Sequence, residues 1–309
     1  MNEVRERLVA EAQRTIAAGS KSFRFASQIF DLGTRERSWL LYAWCRACDD
    51  VTDGQTLGHG AVSVDNPAER IAFLRARTDA ALAGKQTGLV PFDSLAMVAA
   101  ETRIPADLPR DHLAGFARDA VGWTPTSEDD LLSYCYQVAG AVGVMMAHVM
   151  GVDPAERDTL NRASDLGIAF QLANIARDIV DDAKVGRSYI PTDWTDGTID
   201  PLDPAQRPRL VEIAERLASL AHRYRTSSKV GAARLPFRSR WAVLSAAAIY
   251  GEVATRAVEL GPRAWDKRIS ISKAEKFMLV AGAWAEALLP ARKVSREGLW
   301  SRPDRSAAS

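Results

Sequence analysis

Apolar side chains recur along this chain at intervals of three and four far more often than at intervals of two. That is the period of the α-helix, and strand-like alternation is rare. Val4 to Ala18 fits one helix, ending at Gly19, and the pattern resumes from Ser20 to Phe30. Thr34 is a candidate N-cap for a helix from Arg35 to about Asp53. Gly54 to Asn66 is glycine-rich and polar and reads as a loop. Asn66-Pro67 then opens a helix to about Ala83, with proline in its first turn. Phe92 to Glu101 and Arg110 to Val121 follow, punctuated by Pro105 and Pro109. Trp123 to Thr126 is a turn, and Ser127-Glu128-Asp129-Asp130 caps a helix from Leu131 to Met150. Pro154 to Asp182 holds one or two helices, and Ala183 to Pro204 is a long polar segment. Pro208 to Ser228, Ser239 to Leu260 and Lys273 to Leu289 complete the set. From Arg292 the chain is polar, with disorder expected at Ser306 to Ser309. The pattern predicts an all-α fold: one domain over residues 1–291, a helical bundle around a central cavity, followed by a polar tail over 292–309. There is no internal repeat and no clear linker.

Two stretches interrupt this apolar regularity with carboxylates. Asp49 and Asp53 are four residues apart, and Asn174, Asp178 and Asp182 repeat at the same interval. On a helix such residues stack along one face, so each stretch presents a ridge of oxygen atoms. Like charges at that spacing destabilise a bare helix by a few tenths of a kcal/mol per pair. Hard cations suit such ridges, and Mg²⁺ is commonly held by one or two carboxylates plus substrate phosphate oxygens. The alternative is a solvated acidic face. Against it, apolar runs precede both ridges (Trp39 to Trp44 and Leu166 to Phe170), and each ridge carries an arginine, Arg46 or Arg177. Carboxylates and guanidinium groups inside an apolar bundle suit a metal-bound diphosphate.

Composition narrows the classes. The 309 residues carry a net charge of +1, which gives no case for nucleic-acid binding. Cys45, Cys48 and Cys135 form no disulfide framework, and the context reads as cytoplasmic. The Cys45–Cys48 spacing resembles a redox or zinc half-site, but no second pair follows, and buried thiols are expected. No apolar run reaches the roughly 20 residues of a spanning helix. The charged start of the chain is not a signal peptide.

The second ridge resembles the Asn-x-x-x-Asp-x-x-x-Asp signature of the squalene/phytoene synthases, the head-to-head prenyl transferases. The first resembles their Asp-x-x-x-Asp motif with its preceding Cys-Arg. Ser20-Lys21-Ser22-Phe23 and Tyr134-Cys135-Tyr136-Gln137-Val138-Ala139-Gly140-Ala141-Val142-Gly143 extend the match, in family order, from about residue 20 to about residue 280. Within the family the chain looks most like the bacterial phytoene synthases. The resemblance implies the isoprenoid synthase fold. It also implies condensation of two geranylgeranyl diphosphates to 15-cis-phytoene through a cyclopropyl diphosphate, in carotenoid biosynthesis. Squalene-type synthases use C15 substrates with the same chemistry. A helical assembly factor of the same fold is a non-catalytic alternative, which would be expected to lose metal ligands.

The resemblance also assigns roles. Asp49, Asp53, Asn174, Asp178 and Asp182 become metal ligands, with Mn²⁺ as a substitute for Mg²⁺ and no NADPH expected. Tyr42, Arg46, Tyr134, Gln171, Arg177 and Tyr189 take catalytic positions. Ser20, Lys21, Ser22, Tyr250, Arg268 and Lys276 match substrate-binding positions. Residue chemistry alone leaves other readings open. Lys21 and the basic residues near Arg268 also suit solvated surface, Arg177 could pair with Asp181 one turn on, and buried tyrosines are usually plain core. Gly140 and Gly143 each cost a helix interior about 1 kcal/mol. Ala139, Gly143 and Ala147 share a face, which admits either a neighbouring helix or a ligand; the resemblance implies the wall of a prenyl tunnel, with Tyr134 and Tyr136 near its polar mouth. The partner implied is a prenyl diphosphate. Greasy substrates are compatible with peripheral contact at the inner face of a membrane and with association with other carotenoid-pathway enzymes.

Overall fold

A computed structural model describes residues 2–19, 26–53, 66–196, 198–290 and 293–304. Among them the chain is all-α, with no strand. Its contacts gather into two compact units. One comprises Met1–Val121 with Val144–Ala155, the other Gly122–Gly143 with Glu156–Ser309.

The first unit contains α1 (Asn2–Gly19), α2 (Leu32–Asp53), α3 (Pro67–Leu82), α4 (Val90–Thr102) and α5 (Asp107–Ala120). α2 packs against α1, α3 and α4, so its apolar residues Leu40, Leu41 and Trp44 are fully buried. The Trp44 indole N–H donates to Thr78 Oγ1 at 3.2 Å, which satisfies the one polar atom that a buried tryptophan brings. α2 begins three residues before the expected Arg35, and Thr34 is not its cap. The Asp31 carboxylate accepts from the Thr34 N–H at 3.0 Å, so aspartate satisfies the open first turn. Pro109 does not separate elements, because it lies inside the first turn of α5, where proline is tolerated. Of the predicted loop from Gly54 to Asn66, residues 54–65 lie outside the described residues, as do residues 20–25 of the helical pattern from Ser20 to Phe30.

The second unit is built on α8 (Arg157–Lys184), a single helix of 28 residues. It packs against α9 (Arg207–Ala232) and α10 (Phe237–Glu259), and α10 also carries α11 (Lys273–Leu288). Ser272 and Glu275 form a capping box at the start of α11. The stretch expected as one helix from Leu131 to Met150 is three pieces. α6 (Glu128–Cys135) runs into a π turn (Tyr136–Gly140) and continues as α7 (Ala141–Val149). Ser127 caps α6 as predicted, its hydroxyl accepting from Asp130 N–H at 3.2 Å.

The π turn lies at a close helix contact. A Cβ placed on Gly143 would run into the Ala163 carbonyl of α8, and one on Gly167 of α8 would run into the Ala139 carbonyl. Backbone meets backbone here, so the small residues serve helix packing. This corrects the expectation that Gly143 opens onto a tunnel. Ala139 is likewise seated against α8 through its carbonyl.

The C-terminal segment is not a loose polar tail over its described part. Arg296 makes two bonds to the fully buried Asp165 carboxylate, at 2.8 and 2.7 Å. The Trp300 N–H donates to Tyr224 Oη at 2.9 Å, and the Trp300 ring packs on Tyr136. Residues 306–309, where disorder was expected, lie outside the described residues.

Candidate functional site

In the first unit the predicted residues lie along α2. Tyr42, Arg46 and Asp49 follow one another by a turn each. The Arg46 Nε donates to Tyr42 Oη at 3.3 Å, and Arg46 Nη1 lies 3.4 Å from Asp49. Burial alone would lower the Arg46 pKa. The Asp49 charge and the tyrosine hydroxyl outweigh it, so the guanidinium is held protonated more firmly than usual. Burial raises the Tyr42 pKa against the pull of Arg46. The end of α1 abuts this group, since a Cβ on Gly19 would lie 2.6 Å from Tyr42 Oη. Ser20, Lys21 and Ser22 follow Gly19 directly but lie outside the described residues. Asp53 is placed as helical backbone only. Cys45 and Cys48 are free cysteines on the same helix, and burial pushes both thiols above their ordinary range. That is the signature of structural thiols, since the thiolate is the reactive form.

In the second unit α8 carries Gln171, Asn174, Arg177, Asp178 and Asp182, all half-buried. Asn174, Asp178 and Asp182 lie on one face, as their spacing demands. Arg177 does not use Asp181. It grips Asp178 with two nitrogens, Nε at 2.7 Å and Nη2 closer still. Asp181 is exposed and pairs with Lys184 at 2.8 Å. Arg268 Nη2 also reaches Asp178, at 3.6 Å. Burial would depress the Arg177 pKa, but Asp178 foremost, with Tyr250 and Asp182, raises it. These four residues therefore form one electrostatic group. Burial raises the Tyr250 pKa, opposed by the Arg177 charge, and the Tyr250 ring stacks on Phe170 at 4.0 Å.

Aromatic rings form a second cluster in this unit. Tyr134 stacks on Tyr189 with centroids 5.0 Å apart, and Trp123 lies 5.2 Å from Tyr134 on its other contact. Tyr134 and Tyr136 are both 2% exposed, but they part company. Tyr136 packs on Trp300, so only Tyr134 joins Tyr189. Lys276 lies in the first turn of α11 and is half-buried.

Two positioning residues escaped the sequence reading. The Trp265 indole N–H donates to the Ala176 carbonyl at 3.1 Å and pins the segment before Arg268 to α8. Phe170 fixes the Tyr250 ring. Phe170 ends the apolar run before the second ridge and Trp265 lies three residues before Arg268, but an aromatic residue carries no local signal that separates positioning from plain core.

The donors suit a hard dication by their chemistry. They are all oxygen, partly shielded, and flanked by guanidinium groups that match phosphate. Among the described residues no three His, Cys, Asp or Glu side chains converge into a closed cage.

Residues 16–275 match the family model described as squalene/phytoene synthase. The chain belongs to the squalene/phytoene synthase family. It is 45% identical over 302 residues to the 15-cis-phytoene synthase of Paracoccus sp. (strain N81106 / MBIC 01143), covering 96% of this chain and 98% of that one. The 15-cis-phytoene synthase of Pantoea ananas is 43% identical over 305 residues, with the same coverage. Among solved structures, a dehydrosqualene synthase in complex with ligand is similar at a TM-score of 0.81 and 26% identity, covering 92% of this chain and 98% of that one. The family's members are prenyl transferases by these names, and the all-α architecture is theirs.

Proposed function

We propose that this chain condenses two geranylgeranyl diphosphates head to head into 15-cis-phytoene, with Mg²⁺ as its metal and Mn²⁺ as a substitute. The observation that carries the reading is the Asn174/Asp178/Asp182 ridge with Arg177 and Arg268 converging on Asp178. Similarity to the phytoene synthases over nearly the whole chain supports the C20 substrate. Asp49, Asp53, Asn174, Asp178 and Asp182 would hold the metal. When bound, Mg²⁺ supplies Lewis-acid neutralisation of a departing diphosphate.

The chain's own residues perform the rest of the work. Arg177, Arg268 and Arg46 place fixed positive charge where the diphosphate charge develops. Lys21, Ser20 and Ser22 add donors, and Gln171 orients the diphosphate or a water. The allylic cation left when one diphosphate departs is attacked by the double bond of the second molecule, and loss of a proton closes a cyclopropyl diphosphate. Departure of the second diphosphate, rearrangement and loss of a second proton complete the product. The π faces of Tyr134, Tyr189, Tyr42 and Tyr250 stabilise the cations, and apolar surroundings keep water from quenching them. No reductant enters this sequence, so no NADPH is used. A hydrocarbon product makes peripheral membrane contact, and hand-over to other carotenoid-pathway enzymes, part of the same reading.

The test is incubation of the purified protein with Mg²⁺ and either geranylgeranyl or farnesyl diphosphate, with and without NADPH. Mass spectrometry of the hexane extract then identifies the hydrocarbon. A C40 product formed without NADPH is expected. A C30 product from farnesyl diphosphate, with the C20 substrate untouched, would assign the chain to the C15-using branch instead.

A further inference from the structure

α11 is turned inside out for a surface helix. Its inward positions hold small residues, Val280, Ala283 and Ala287. Its outward positions hold large ones: Phe277 is 66% exposed, Met278 69%, Trp284 46% and Leu288 59%. At 100° per residue these four, with Ala274, Ala281, Gly282 and Ala285, fill one continuous arc that contains no charged residue. An exposed apolar arc of that width is normally covered. The patch continues past the helix end. Arg240 of α10 donates to the Leu289 carbonyl at 2.5 Å, which brings the first turn of α10 alongside. Leu289 there is 61% exposed and Phe237 41%.

We propose that this face is a membrane-docking surface, seated on an anionic lipid leaflet with α11 lying in the interface. The charges decide between occupants. Both acidic residues of α11 are neutralised within the protein, Glu275 by Arg256 at 2.5 Å and Glu286 by Lys229 at 2.7 Å. What rims the patch is net basic. Lys267 and Lys273 are exposed before and at the start of α11 and Arg238 beside Phe237, against one exposed acid, Asp266, while Arg268 is engaged with Asp178. A second copy would bring the same basic rims together, which costs like-charge repulsion. Anionic headgroups complement them, and basic residues near such a surface strengthen binding in a salt-dependent way. Tryptophan and phenylalanine among smaller apolar residues is the composition of helices that lie in the headgroup region. No helix among the described residues is long and apolar enough to cross a membrane, so the contact is peripheral. The proposal deepens the reading of a C40 hydrocarbon product, but the docking itself stands on the patch and its charges.

The test is flotation of the full chain, without substrate or metal, on phosphatidylcholine vesicles and on phosphatidylcholine vesicles containing phosphatidylglycerol. Binding to the phosphatidylglycerol vesicles, weakened by salt, is expected. The Phe277→Ser/Leu288→Ser double variant removes two exposed apolar side chains and should lose at least about tenfold in partition. Both side chains are exposed, so its thermal melting should match the wild type. Its turnover of geranylgeranyl diphosphate in detergent micelles should be unchanged. Equal flotation of variant and wild type, or no flotation of either, would overturn the proposal. So would a wild-type dimer in light scattering that the same substitutions dissociate, since the face would then belong to a second copy. Flotation with no C40 product from either form would overturn the functional reading and leave the docking intact.

Discussion

Two glycines in helices of the second unit should respond to the same substitution with opposite signs. Gly143 faces α8 so closely that an added Cβ would meet the Ala163 carbonyl, whereas Gly282 on α11 has nothing within 4 Å of the Cβ position. Alanine raises helix propensity over glycine by about 1 kcal/mol at either site. At Gly282 that gain stands alone, so Gly282→Ala should stabilise by up to about 1 kcal/mol. At Gly143 the methyl must push two backbones apart. Overpacking typically costs about 1–3 kcal/mol, and a carbonyl cannot rotate away as a side chain can, so the upper half of that range applies. Set against the propensity gain, Gly143→Ala should lose about 1–2 kcal/mol. For a chain of this size each kcal/mol moves the melting midpoint by about 1.5–2 °C. Scanning calorimetry and urea unfolding of both variants beside the wild type measure the two shifts. A Gly143→Ala protein as stable as the wild type would refute the close helix contact. If that protein also lost turnover, Gly143 would return to the lining of the substrate cavity.

Asp178→Asn should lower turnover about 100-fold or more with the fold retained, while Asp50→Asn, off the ridge by about 100° of helix turn, should be far milder; product yield against Mg²⁺ concentration reads both. Tyr134→Phe keeps the ring stack with Tyr189 and should leave the melting midpoint within a few degrees, so a loss of turnover would isolate the hydroxyl. Arg296→Ala should destabilise by about 3 kcal/mol at pH 8, because it strands the buried Asp165 carboxylate. Burial already raises the Asp165 pKa against the pull of Arg296, and losing that partner raises it further. An acid whose folded-state pKa is raised contributes stability that is present below its unfolded pKa and lost as pH rises through the folded value. The Arg296→Ala deficit should therefore shrink towards pH 5, and urea midpoints that show a pH-independent deficit would contradict the assignment.

The helices were legible because each buries a face at the 3.6-residue period, and that period survives any detail of tertiary contact. What failed was local competition. Asp31 and Thr34 are both acceptable caps, and only the position of the first turn decides that Asp31 takes the Thr34 N–H. The π turn at Tyr136–Gly140 adds one residue to one turn, a change in period too brief to show in the pattern. Its trace was the pair of glycines, whose cost was evident but whose cause, the side chains of α8 at Gly140 and its backbone at Gly143, lies more than twenty residues on in the first case and twenty in the second. The docked C-terminal segment left still less trace. Arg296 and Asp165 are 131 residues apart, and nothing in a polar stretch ending in Trp300 marks it as the partner of a buried carboxylate.

The site divides along the same line. Ridges of ligands were legible because residues four apart stack on any helix, whatever surrounds them. The counter-charges were legible only in part. Spacing favours Arg177 with Asp181, one turn on, because adjacent residues on a helix do not face each other. The structure pairs Arg177 with Asp178 instead, and the reason is competition for both partners. Lys184 takes Asp181 out towards solvent, while the half-buried Asp178 draws two guanidinium groups. A long side chain can wrap to its neighbour when burial makes that carboxylate the stronger attractor. Arg268 arrives by a second route that no local rule contains. The indole of Trp265 bonds to a carbonyl in the middle of α8, and the chain that follows is carried to the ridge. Removing that one hydrogen bond with Trp265→Phe should preserve most of the packing and loosen Arg268. KM for the diphosphate should then rise more than kcat falls, whereas a residue that served only the core would shift the melting midpoint and leave KM alone.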